Sequence, residues 1–240
     1  MANRGTFPIP DGYIVPAPPS GGDGTLPNRP GGVLAADGAT IYEFQYATRC
    51  SGTGALTAGA WRCSHSIYGS GLCSYGAQGG SALSGVGGVL RNHELTGTIP
   101  HALKITLPAD ELSNCSGGYR WPATTADGYH DDQYVGNVCA LRMGSLVALL
   151  PSYNCSAHSG LAARVCQALK DYGAYVGDTH PGWDPVSIIG EYGASAAALD
   201  GAEAAIVTMT NALNVVDNNG SANVGGGGTP RVPLAPAIGN

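Results

Sequence analysis

Charge is scarce in this chain. Asp, Glu, Lys and Arg make up 12% of its 240 residues, and 11 of those residues are basic. With a net charge of -6 and no run of Lys or Arg, it lacks the basic footprint of a bulk nucleic-acid binder. It also lacks any apolar run near the roughly 18–20 residues needed to cross a bilayer, which argues against membrane insertion. None of the seven cysteines forms C-x-x-C, and no His–Cys cluster has zinc-finger spacing, so neither a metal nor a cofactor is expected. Met1 is followed by polar ANRGTFPIPDG without an apolar h-region; no signal peptide is read, and Met1 is taken as the start of a mature form. No G-x-S-x-G elbow is present, and Gly225–Gly228 does not open a helix, which removes Ser-His-Asp and phosphate-loop readings.

What the chain has instead is glycine, 38 residues, and proline, 16. That balance favours many tight turns between short strands. The cysteines, at positions 50, 63, 73, 115, 139, 155 and 166, fit disulfides in an oxidising compartment. Their odd number leaves at least one unpaired or intermolecular. Cys50 with Cys63 is the expected local bridge, because SGTGALTAGAWR between them reads as a hairpin loop. Cys166 falls on a predicted helix and reads as a buried free thiol. Asn114, Asn154 and Asn219 open glycosylation sequons, which matter only in a host with that machinery.

Residues 1–33 read as an extended Pro/Gly-rich leader, 34–216 as a single β-rich domain and 217–240 as an extended Gly/Pro-rich tail. In Gly38–Ala47, alternation puts Tyr42, Phe44 and Tyr46 on one strand face and Glu43 and Gln45 on the other. Residues 51–87 read as long loops and short strands. The cleanest strand is Ala102–Leu107, with Leu103, Ile105 and Leu107 opposite Lys104 and Thr106. Leu146–Leu150 is a buried strand or short helix. A helix is signalled by Ser159 as cap, by the stripe Leu161, Val165, Ala168, Leu169 and Tyr172, and by Gly173 as stop. A strand from Ala174, a second helix in Gly201–Leu213 and a return strand at Asn214–Val216 follow. The fold class is mainly β, a β-sandwich or jelly roll with one or two packed helices.

Five blocks occur in order: HALKITLP, YRWPATTADGY, ALRMGSLVALL, ALKDYGAYVGD and VDNNGSANVGGGGTPRVPLAP. Together they resemble an uncharacterised family of secreted bacterial proteins, over about Gly38 to Pro236. The resemblance implies secretion and one compact domain, and carries no activity. The stretch Ser51–Ser74 is its least family-like part.

With so few charges, each one near an aromatic or a turn is a candidate. Glu94 and His101 flank the turn Leu95–Pro100, where a carboxylate and an imidazole can do acid–base work; the alternative is a surface Glu and a capping His. Asp178 at a strand end, with Trp183-Asp184 beyond it and Glu191 further on, suits sugar chemistry, in which an acid protonates and a ring stacks on the sugar. The catalytic candidates are therefore Glu94, His101, Asp178 and Glu191. Lys104, Arg120, Trp121, Asp127 and Trp183 are the ligand-binding candidates; Glu94, His101, Lys104 and Arg120 are expected to line one polar sheet face, with Trp121 or Trp183 at its edge. Asp127, Asp131 and Asp132 also form an oxygen-rich loop, but without EF-hand spacing. The expected function is a secreted carbohydrate-active protein, a glycoside hydrolase or polysaccharide lyase, with a glycan or polysaccharide as partner. The other reading is a non-catalytic glycan-binding or self-assembling extracellular protein, in which the unpaired cysteine links copies into a homo-oligomer.

Overall fold

The computed structural model describes residues 30–180, 186–191 and 201–227, together with residues 9, 11, 12, 14 and 15. The fold is strand-rich and mixed. Strands β1 (Gly31–Leu34), β2 (Thr40–Thr48) and β3 (Thr57–Ser66) form a curled antiparallel sheet in that order. A second sheet contains β4 (Leu103–Pro108), β5 (Leu146–Leu149), β6 (Ala174–His180), β7 (Ser187–Ile188) and β8 (Leu213–Val215), ordered β7-β4-β6-β5-β8. In it β4 and β6 run parallel, and the other pairs are antiparallel. The helices are α1 (His130–Gln133), α2 (Gly160–Asp171) and α3 (Glu203–Thr210).

The period-two pattern of β4 holds. Leu103 and Ile105 enter the main core, where Val165 and Leu169 of α2, Ile206 and Met209 of α3, Val147 and Val176 meet them. Helix α2 forms where its stripe predicts. Ser159 occupies the N-cap position with extended backbone, although its side chain makes no cap bond. Gly173, at φ +76°, ends the helix, and its N–H returns to Ala168 O. The helices thus cover one face of the five-stranded sheet.

What covers the other face departs from a clear sandwich. In a sandwich two apolar sheet faces interdigitate. Here residues 76–88 lie between the sheets and hold them by polar contacts. Lys104 Nζ donates to Ser84 O at 2.6 Å, Ser81 Oγ donates to Gly177 O, and Gln78 Nε2 donates to Asp178 Oδ2 at 2.7 Å. From the other side, Glu43 of β2 accepts the Ala77 and Gly85 N–H groups at 2.8 and 2.9 Å, the Ser84 hydroxyl, and His65 Nε2 at 2.9 Å. Alternation in β2 places Glu43 and Gln45 together, as read, and both are buried, as is Phe44 on the opposite face. A carboxylate with four donors loses little by leaving water.

The disulfides correct two expectations. They join Cys63 to Cys73, Cys115 to Cys139 and Cys155 to Cys166, leaving Cys50 exposed and free. The β2–β3 register pairs Thr48 with Thr57, so Cys50 lies past the paired end while Cys63 sits six residues up β3, about 20 Å along at ~3.3 Å per residue. Cys166 is buried as read, but Cys155 in the preceding 3-10 turn reaches it. Three disulfides fit an oxidising setting. Among the described residues no helix is long and apolar enough to cross a membrane.

Candidate functional site

Strand β6 begins with Ala174 and Val176 in the core. Strict alternation would send Asp178 there as well. The β4 register instead pairs Ile105 with Val176 and Thr106 with Asp178, so Gly177 is an extra residue, a bulge. Bulges re-aim the side chains that follow them. This one turns Asp178 to the face of Lys104 and Thr106, against residues 78–80. Gln78 Nε2 binds one oxygen of Asp178, and the Thr179 N–H binds the other at 2.9 Å.

Thr179 also brings in Asp127, which is 52 residues away in the chain. The Thr179 hydroxyl donates to Asp127 Oδ2 at 3.0 Å and accepts from the Tyr129 hydroxyl at 2.7 Å. Tyr134 donates to the same Asp127 oxygen at 2.7 Å. Gly80 closes the cluster with φ +62°. A Cβ there would stand 3.0 Å from Asp127 Oδ2, 3.1 Å from Asp178 Oδ1 and 2.8 Å from Met143 Cε, so glycine leaves the two carboxylates room to face one another. Their nearest oxygens are therefore no more than about 6 Å apart.

The electrostatics separate the groups. Burial pushes the Asp178 carboxyl above the usual carboxylate range; the Gln78 and Thr179 bonds oppose that, and the Asp127 charge adds to it. Burial, then Asp127, raises the Tyr134 hydroxyl. Burial also raises Tyr129, a residue that is still 41% exposed. Lys104 is held down to about 7 by burial, against the opposing pull of Glu43 and Asp178.

The other candidates divide. Glu94 and His101 do meet, at 3.0 Å. Glu94 is nevertheless buried in the 3-10 turn Asn92–Leu95, where its second oxygen accepts the Arg91 N–H at 2.7 Å. Glu191 accepts the Asn92 N–H at 2.8 Å, so both glutamates brace the same stretch of backbone. Glu191 and Arg91 also edge a cavity of about 410 Å³ walled by Phe44, Val86 and Ile189. Arg120 donates to Asp217 O and Asn219 O at 2.6 and 3.1 Å and ties down the loop after β8. Trp121, followed by a cis bond to Pro122, lines a second cavity of about 380 Å³ together with Lys104 and Tyr175. Lys104 faces away from the helix-covered core, as its parity requires, but it lies beneath residues 76–88 and not on an open polar face. Trp183 and Asp184 lie outside the described residues.

Sequence reasoning passed over Gln78, Thr179, Tyr129, Tyr134 and Glu43. The Gly177-Asp178 step is the one local sign of the bulge. Glu43, Cys63 and Cys73 also cluster, but both sulfurs are committed to a disulfide. No protein-family model, curated protein or solved structure matches the chain.

Proposed function

We propose that the chain is a secreted carbohydrate-active protein of the glycoside hydrolase type, with Asp178 and Asp127 as its acid–base pair. The observation that carries this reading is the convergence of the two carboxyl groups through Thr179 beside Gly80. Glycoside cleavage needs one carboxyl that holds its proton and one that has lost it. Burial favours the protonated form of Asp178, which fits it to protonate the leaving oxygen. Asp127, whose Oδ2 accepts the Tyr134 and Thr179 hydroxyls, then attacks or activates water. Exposed Tyr129 is placed to stack its ring on a sugar. A gap of at most about 6 Å lies nearer the ~5–5.5 Å of retaining enzymes than the ~6.5–9.5 Å of inverting ones. The three disulfides support the extracellular half of the reading.

The test is incubation with a panel of neutral and acidic polysaccharides, with products read by mass and ultraviolet absorbance. Hydrolysis adds one water per cut and retains the anomeric configuration. Unsaturated ends would mark a lyase and contradict the carboxylate pair; an inert protein across the panel would overturn the enzymatic reading.

A non-catalytic glycan-binding role has one observation in its favour. Trp61, 43% exposed on β3, packs against Tyr42 with ring centroids 5.1 Å apart. Such a platform binds sugar faces. Glycan titration with quenching of tryptophan fluorescence, lost in Trp61→Ala while the Asp178→Asn variant still binds, would favour it.

A further inference from the structure

We propose that Lys104 is a nucleophilic amine at the wall of an apolar cavity, and that the cavity takes a small carbonyl compound with an aromatic or aliphatic body, which Lys104 holds as an imine. This site is separate from the Asp178–Asp127 pair and does not depend on the glycan reading.

The cavity measures about 380 Å³, within the size range of small-molecule sites. Its wall includes Leu72, Leu83, Trp121, Pro122 and Tyr175, so the chemistry it offers a ligand body is apolar and aromatic. Lys104 and Ser84 both line it, and the Lys104 amine bonds the Ser84 carbonyl. The side chain reaches this position because its neighbour on β6 has none. A Cβ at Gly177 would lie 2.6 and 2.7 Å from Lys104 Cγ and Cδ. The bulge glycine that re-aims Asp178 thus also makes the slot for the lysine stem.

An ammonium carries three N–H donors. Among the described residues Ser84 O is the one hydrogen-bond acceptor of Nζ. A buried ammonium with two donors unmet is costly, whereas a neutral amine with one bond made keeps a lone pair free. The charges that bear on the group are Glu43 from β2 and Asp178 from β6, which favour the ammonium, and Arg91, which disfavours it. Burial, with Arg91, outweighs the two carboxylates and leaves the amine titrating at about 7. A lysine desolvated in an apolar pocket is the form that makes Schiff bases. The step balances: the nitrogen lone pair attacks the carbonyl carbon, and the carbon–oxygen bond breaks. The two amine protons leave with that oxygen as water.

The chain has two lysines, Lys104 and Lys170. Lys170 lies in the last turn of α2 and donates to Tyr153 O. It serves as an internal control. Native protein is incubated with benzaldehyde and cyanoborohydride near pH 7, digested and mapped by mass spectrometry. The N-benzyl label is expected on Lys104 at least ten times faster than on Lys170, with a rate that is half-maximal near neutral pH. Leu72→Trp, which fills the cavity from its outer wall, is expected to slow labelling of Lys104 about ten-fold and leave Lys170 unchanged. Label confined to Lys170 and the N-terminal amine, or on Lys104 only after denaturation, would overturn the proposal. So would Lys104 labelling that Leu72→Trp does not alter.

Discussion

Lys104, Glu43 and Asp178 are three charges of a charge-poor chain, and all three stand in the layer between its sheets. The titration of Lys104 and Asp178 should be visible in stability. For Lys104 the folded value of about 7 lies below the unfolded 10.5. Between those values the unfolded chain binds a proton that the folded chain does not, so stability rises with pH across the window. At about 1.4 kcal/mol per unit, the effect amounts to several kcal/mol. Asp178 is raised, so just above pH 3.8 the folded chain holds a proton that the unfolded chain has lost, and stability falls as pH rises there. Melting curves of wild type and Lys104→Met between pH 7 and 10 check the first effect: the wild type gains on the variant as pH rises, and parallel curves would contradict it. Glu43→Ala strands the backbone donors of Ala77 and Gly85 and the Ser84 hydroxyl. It is expected to cost about 3–5 kcal/mol in denaturant unfolding. A loss below about 1 kcal/mol would mean the layer closes without its carboxylate.

At the scale of elements, the pattern in β4 and α2 was legible because each buries one face against a single core. Val165 is fully buried in the α2 stripe. Val165→Asp therefore places an unpaired charge there, at a cost of about 3–5 kcal/mol. A soluble, cooperatively melting variant would show the stripe is not core. The burial of Glu43 was not legible: alternation separates it from Phe44 correctly, but says nothing of what covers the carboxylate. Its four donors come from His65 and from residues 77–85, and no local spacing announces them. Asp178 was named as a candidate, but the bulge at Gly177 hid the direction it points, since one added residue reverses strand parity. For the disulfides, sequence separation favoured Cys50–Cys63, and strand register rules it out. Thiol titration of the native, unreduced chain should find one free thiol, Cys50. Reduction should lower the melting temperature, since removing a native disulfide typically costs about 2–5 kcal/mol. Seven free thiols in the native chain would contradict the pairing.

On the scale of the whole molecule, the helix-covered sheet supplies the apolar core, and the polar layer on its far side holds the proposed acid–base pair. Glu94, His101 and Glu191, which sequence spacing grouped with Asp178, instead brace the backbone at Arg91–Asn92. Local reasoning found the Glu94–His101 contact because seven residues and one turn separate them. It separated Asp178 from Asp127 because only the closed fold joins them. The measurement that tests the central claim most directly is reducing-end release by wild type, Asp178→Asn and Asp127→Asn on the same polysaccharide, beside their melting curves. The acid–base pair predicts release by the wild type and a loss of at least about 100-fold in each variant. Asp178→Asn keeps one acceptor for Gln78 and gives up the Thr179 N–H bond, so it should melt within a few degrees of wild type while release is lost. Variants that cleave at the wild-type rate, or a wild type that releases nothing, would contradict it.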